Sequence, residues 1–247
     1  MFTRIVILFY CMAPQADDLV KYLEHITHLL DSDQIDEEEQ KTVLDNVREE
    51  IKGNEQHLAR SPEGSKIFET LLSHYDPEPL IELFVILIQS GVDLAFHVFG
   101  SRVLEKLLCI LKQKILSRNS KEENAVENGE KLLISLKEMK QLFQGDAKQV
   151  GGGEKEKASG WGWVELMSDS KASHVIREFI ECLVDTTDKS TLTTKQQKKI
   201  PVHSVISLQK QLWEVFLSIV DDILHPLRSV KRSSAAPIAC RISRMLF

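Results

Sequence analysis

From Asp17 onward the apolar residues of this chain recur every three or four positions, the spacing that lines one side of an α-helix. Leu19, Leu23, Ile26, Leu29 and Leu30 make one such stripe and predict a helix that ends near Asp31. Asp33 or Asp36 is placed to cap a second helix with an acidic first turn, which turns Val43, Leu44, Val47 and Ile51 inward and stops at Gly53. Pro77 and Pro79 open a very apolar helix from Leu80 to Ser90, with Gly91 behind it. From Gln209 to Leu224 the period returns in Leu212, Phe216, Ile219, Val220 and Ile223. No segment alternates with period two over a useful length, so the pattern predicts an all-α fold.

Two stretches break the pattern. Between Arg118 and Ala158, NSKEENAVENGEK and GDAKQVGGGEKEKASG are charged and contain glycine, and they flank a candidate helix from Lys131 to Phe143. This composition cannot bury enough apolar surface to offset the entropy of ordering it, so residues 118–160 are expected to be a polar insertion, largely disordered. Thr187 to Lys199 is a second polar connector. The chain then divides into an uncertain extension over residues 1–15, helices and two repeats over 16–117, the insertion, and a third repeat with a partial fourth over 161–247.

Internal similarity gives that division its repeats. Pro62-Glu-Gly-Ser-Lys-Ile-Phe-Glu-Thr-Leu-Leu72, Val98-Phe-Gly-Ser-Arg-Val-Leu-Glu-Lys-Leu-Leu108 and Ser170-Lys-Ala-Ser-His-Val-Ile-Arg-Glu-Phe-Ile180 align without gaps. Each has a small residue, then Ser, then a cation or His, two apolar residues and a charged one. A weaker copy is Pro237-Ile-Ala-Cys-Arg-Ile-Ser-Arg-Met-Leu-Phe247. The small residues Gly64, Gly100, Ala172 and Ala239 lie 36, 72 and 67 residues apart. The second interval is read as one repeat plus an insertion of similar size.

At about 100° per residue, Ser65, Lys66 and Glu69 share one side of a helix while Ile67, Phe68, Leu71 and Leu72 cover the other. One face packs against neighbouring units; the other presents three polar side chains, and stacked units line these up in a row. This helix resembles the RNA-reading helix of Pumilio (PUF) repeats. The stretch Tyr22-Leu-Glu-His-Ile-Thr-His-Leu-Leu-Asp-Ser32, the acidic helix after it and the GSRVLEKLL copy are similar to the nucleolar Pumilio-like family of nucleolar protein 9. The resemblance implies an α-solenoid of about three and a half repeats, interrupted by insertions. It also implies binding of single-stranded RNA, namely precursor ribosomal RNA during small-subunit maturation in the nucleolus, with pre-ribosomal proteins as further partners. It assigns base-edge contacts to Ser65 with Glu69, Ser101 with Glu105, Ser173 with Arg177 and Cys240 with Arg244. Lys66, Arg102, His174 and Arg241 would stack on the bases. A Ser–Glu pair resembles a guanine reader, because a carboxylate accepts from N1 and N2 hydrogens. A Ser–Arg or Cys–Arg pair resembles a cytosine reader. Family members carry many more repeats, so the chain is expected to be an N-terminal piece.

Composition tempers this picture. The net charge is −6, whereas phosphate binding usually draws on lysine and arginine. The charge is graded: from Thr191 on, nine Lys or Arg face three Asp or Glu, a local +6 that leaves −12 upstream. Reading unpaired bases by edges and stacking needs fewer cations than gripping duplex phosphates. The four cysteines, Cys11, Cys109, Cys182 and Cys240, do not pair at metal or disulfide spacing, which fits a reduced compartment. Met1 to Ala13 loosely imitates a signal peptide but is too short to span a bilayer, and Met12-Ala-Pro-Gln would open the chain naturally. His25 and His28 share a helix face at a spacing that can hold a metal, yet no second ligand pair accompanies them, so they read as surface or packing histidines. Gly151-Gly-Gly153 lacks the lysine and hydroxyl of a phosphate loop, and Trp161 and Trp163 read as anchors of the third repeat. No cofactor, catalytic constellation, membrane span or small-molecule substrate is implied. A protein-binding solenoid of armadillo or HEAT kind is the alternative from another class.

Overall fold

The computed structural model describes residues 16–32, 35–89, 92–116, 125–144, 163–184 and 202–229. The expected residues 1–15, the connector from Thr187 to Lys199 and the fourth copy from Pro237 to Phe247 lie outside them, as do Gly91 and Trp161. Every regular element among the described residues is helical. No helix there is long and apolar enough to cross a membrane.

The first two helices are α1 (Ala16–Leu30) and α2 (Glu37–Ile51). Asp36 caps α2 by accepting from the Glu39 amide at 2.8 Å, one of the two capping residues expected. Gly53 follows with φ +82°, the left-handed conformation that ends a helix without a Cβ clash.

Three units of short, medium and outer helix come next. The first is α3 (Glu55–Arg60), α4 (Pro62–His74) and α5 (Pro77–Gln89). The second is α6 (Asp93–Phe96), α7 (Gly100–Leu111) and α8 (Ala125–Gln144), with a wider π turn over Lys112–Leu116 at the end of α7. The third is α9 (Trp163–Ser168), α10 (Ala172–Val184) and α11 (Val202–Ser229). The helices that carry the sequence repeat form one layer: α1 packs on α4, α4 on α7, and α7 on α10. In the second layer α5 packs on α8 and α8 on α11, while Arg48 of α2 pairs with Glu82 of α5 at 3.2 Å. Apolar residues from both layers close a core that runs through all units, with Phe68, Phe84 and Phe179 among its largest fully buried side chains. This is an all-α solenoid, with each unit buried by its neighbours.

One expectation needs correction. The segment 118–160 is not merely an insertion, because α8 is the outer helix of the second unit. Leu132, Leu133, Leu136, Met139 and Phe143 are buried along one stripe, and Lys131 reaches back to Glu78 of α5 at 2.8 Å. The acidic residues of its first turns dilute the apolar stripe, which is why the composition suggests disorder. Trp163 behaves as the expected anchor. It lies edge-on to Phe143 and stacks at 17° on Phe179, tying α8, α9 and α10 together.

Candidate nucleic-acid interface

Each repeat helix begins at an elbow with the same design. Ser61 Oγ accepts from the Gly64 amide at 2.9 Å, His97 Nδ1 from the Gly100 amide at 3.3 Å, and Asp169 Oδ1 from the Ala172 amide at 2.9 Å. These caps stand three residues before the small residue of each copy. They satisfy amides that a helix start leaves without partners. The interval of 36 and then 72 residues between them was open to sequence inspection, and only the variety of residue types hid it.

The small residue is small for a steric reason. A Cβ at Gly64 would overlap the Leu58 carbonyl oxygen and Ser61 Oγ, and one at Gly100 would overlap the Leu94 side chain. In these two units the short entry helix and the repeat helix thus approach too closely for a side chain, while the third unit accommodates the methyl of Ala172.

Helix direction in the row follows from contacts between matching ends. Asp31, just past α1, meets His74 at the end of α4 at 3.3 Å. Lys114, just past α7, donates to the carbonyls of Ser73 and Tyr75 at the end of α4. Near the start of α10, His174 faces Glu105 at 3.9 Å, and further along Glu181 accepts from Lys112 at 2.7 Å. The four helices α1, α4, α7 and α10 therefore run parallel, side by side.

On three of these helices the polar triplets occupy the same phase. Lys66, Arg102 and His174 are exposed; Glu69 and Glu105 are half-buried beside them, and Arg177 is exposed. The serines sit lower than the sequence suggests. Ser65 and Ser101 are only 2% and 5% exposed, and Ser173 is half-buried. Each donates its hydroxyl to the carbonyl three residues back: Ser65 to Pro62, Ser101 to Val98 and Ser173 to Ser170. The hydroxyl proton is thereby committed, and the oxygen keeps its acceptor capacity. The triplet Cys240, Arg241 and Arg244 lies outside the described residues.

Neighbouring triplets are not independent. His174 Nδ1 lies 3.9 Å from Glu105 and 3.5 Å from the Arg177 guanidinium. Nδ1 accepts from Arg177 when it carries no hydrogen and donates towards Glu105 when it does, so it can serve only one of them at a time. Further along the same seam Lys112 lies 3.7 Å from Glu178 and 2.7 Å from Glu181. Burial alone would lower the Lys112 ammonium, but the Glu181 hydrogen bond and both carboxylates outweigh it and hold it above its ordinary value. Burial pushes the Glu178 carboxyl up, and Glu181 adds to that shift. This interhelical seam carries no sequence signature of its own, since its paired members stand 66 or 69 residues apart. Among the described residues no group of three or more His, Cys, Asp or Glu is placed to hold a metal.

The comparisons match this architecture. A model of the NOP9-like PUF repeat domain family matches residues 53–222. Nucleolar protein 9 of Paracoccidioides brasiliensis (strain Pb18) is 27% identical over 228 residues, covering 92% of this chain and 31% of that protein. Nucleolar protein 9 of Aspergillus clavatus is 27% identical over 189 residues, covering 72% of this chain and 26% of that relative. The chain thus spans about three tenths of the length of its curated relatives. Among solved structures, APUM23 with its insert region deleted, together with GGAAUUGACGG, superposes at a TM-score of 0.56 and 19% identity over 95% of this chain and 38% of that one. APUM23 with GGAGUUGACGG superposes at 0.57 and 17% identity, covering 95% of this chain and 40% of that one. With more than half of its length matched by the family model, from α3 into α11, the chain belongs to the family of NOP9-like PUF repeat domains.

Proposed function

We propose that this chain binds single-stranded RNA along the row formed by α4, α7 and α10. The observation that carries the reading is the recurrence of an exposed Lys, Arg or His and a charged residue three positions on, at one phase of three parallel, adjacent helices. Lys66, Arg102 and His174 present flat or cationic groups on which unpaired bases stack. Glu69 and Glu105 accept from a guanine edge, and Arg177 donates to a cytosine edge, with the serine oxygens as secondary acceptors below them. Cys240, Arg241 and Arg244 supply a fourth, cytosine-type site on the same logic. The module is a binding surface rather than an enzyme, and needs no cofactor.

The names of the relatives support a finer reading, in which the RNA is precursor ribosomal RNA in the nucleolus, handled during maturation of the small-subunit RNA alongside pre-ribosomal proteins. A filter-binding assay with single-stranded RNA, with and without a protein competitor, tests the coarse claim. RNA that is retained and not displaced by the competitor supports it. Retention of the competitor instead of RNA would favour the protein-binding scaffold.

A further inference from the structure

At the junction of α7 and α10 one imidazole stands between two of the charged residues assigned to base edges. His174 Nδ1 lies 3.9 Å from Glu105 Oε1 on the neighbouring helix and 3.5 Å from the Arg177 guanidinium on its own. A ring nitrogen either carries a hydrogen or offers a lone pair, so the two contacts exclude each other. Glu69 of α4 takes no part in either.

The two helices cannot relieve this conflict by moving apart. Further along the seam Lys112 of α7 holds Glu178 at 3.7 Å and Glu181 at 2.7 Å. Beside these residues the buried Cys182 thiol rests on the Leu108 carbonyl at 3.5 Å. Close-packed contacts of this kind shift between discrete arrangements rather than stretching. The His174 side chain, by contrast, is 48% exposed. Its one hydrogen, when the ring is neutral, moves between Nδ1 and Nε2 through water. The part of the junction with two states is therefore the ring.

We propose that the bases read by α7 and α10 are energetically coupled, with His174 as the positioning residue that couples them. This rests on the RNA-binding reading of α4, α7 and α10 and adds to it an interaction between two neighbouring sites. Its sign follows from the geometry. A guanine on Glu105 occupies the carboxylate and leaves His174 to accept from Arg177. A cytosine on Arg177 draws on the guanidinium donors and leaves His174 to donate towards Glu105. Each base thus favours the state of the ring that engages the other reader. The two preferred bases together bind less well than their separate contributions imply. Readers that each met one base alone would show no such effect.

The test uses an RNA selected by the whole chain from a randomised single-stranded pool. The two positions are those whose base preference changes in Glu105→Ala and in Arg177→Ala. Each base is then substituted alone and together, and the four affinities are compared. In the wild-type chain the double substitution should lose about three times more affinity than the product of the two single losses. His174→Phe keeps a ring for stacking but no ring nitrogen, and in it the two losses should simply multiply. His174→Ala should behave alike at lower overall affinity. The position tied to Glu69 should be independent of the α10 position in every protein. Losses that multiply in the wild type overturn the inference, as does a departure of opposite sign or one that both His174 variants keep. The RNA reading survives all three. Failure of the wild-type chain to bind any member of the pool, or unchanged preferences in both reader variants, would instead overturn the base-reading assignment and the coupling with it.

Discussion

The outer helices of the first two units do the same work with very different sequences. Helix α5 is apolar almost all round and buries Leu80, Ile81, Leu83, Phe84, Leu87 and Ile88. Helix α8 opens on a polar, acidic stretch, leaves Ile134 57% exposed, and buries only a narrow stripe. Both nonetheless sit in the second layer, and they pack on each other. A helix closed in by α3, α7 and α8 needs apolar residues on several sides. A helix tethered through ion pairs, such as Lys131 with Glu78 and Lys140 with Asp222, needs fewer. Apolar content therefore reports how enclosed an element is, and period reports whether it belongs to the core.

That comparison is open to direct attack. Replacing residues 125–144 with a Gly/Ser linker should abolish the cooperative thermal melt, because it removes the surface on which α5 and α11 both pack. Retention of the melt would return the segment to the status of an insertion. Truncating one buried side chain in each helix gives the next largest effect. Phe84→Ala should cost about 3–5 kcal/mol and Leu136→Ala about 2–5 kcal/mol, measured by denaturant unfolding. A negligible effect of Leu136→Ala beside a large one for Phe84→Ala would show that α8 is peripheral.

The elbows extend the contrast to smaller energies. Gly64→Ala meets a backbone carbonyl, which cannot swing aside, whereas Gly100→Ala first meets the end of the Leu94 side chain. Both overpack, with costs of about 1–3 kcal/mol, and Gly64→Ala should be the worse of the two.

The three caps should differ by pH. Loss of any one typically costs about 1 kcal/mol. Ser61 does not titrate in this range. His97 is held below its ordinary value of 6.5 by burial, with Arg60 and Lys171 adding to the shift. The neutral ring is the form that caps. Its contribution is therefore complete above the unfolded value and is lost as pH falls through the lowered folded value. Asp169 is held below 3.8, chiefly by the Ala172 amide, so its cap persists until more acidic pH. Melting curves from pH 8 to 3 should show wild type losing stability first as pH falls below the ordinary histidine value of 6.5, a loss that His97→Asn reduces. An unchanged slope in the variant would remove His97 from the capping role.

Much of the layer that carries the repeat was legible in the sequence. Gly64, Gly100 and Ala172 mark its elbows, and Ile67, Phe68, Leu71 and Leu72 recur at core phase as expected. The outer layer was legible only where burial is complete, as in α5. In α8 charged residues on the open side masked the stripe. At the site, the residue types of the triplets were visible but their depth was not. Ser65 and Ser101 sink because neighbouring helices pack over the first turn, a tertiary effect that spacing along one helix cannot report. Contacts such as Glu105 with His174 arise from the stacking of units, and no local pattern announces them.

The central claim is that the third member of each triplet, the charged residue at Glu69, Glu105 and Arg177, reads a base. Glu69→Arg converts a Ser–Glu pair into a Ser–Arg pair on a helix whose triplet is clear of the His174 seam. RNA selected by the wild-type chain and by this variant should differ at one position, with guanine giving way to cytosine. In direct binding the preference should reverse by about 1–3 kcal/mol. Identical selected sequences for the two proteins, each bound equally well, would contradict it.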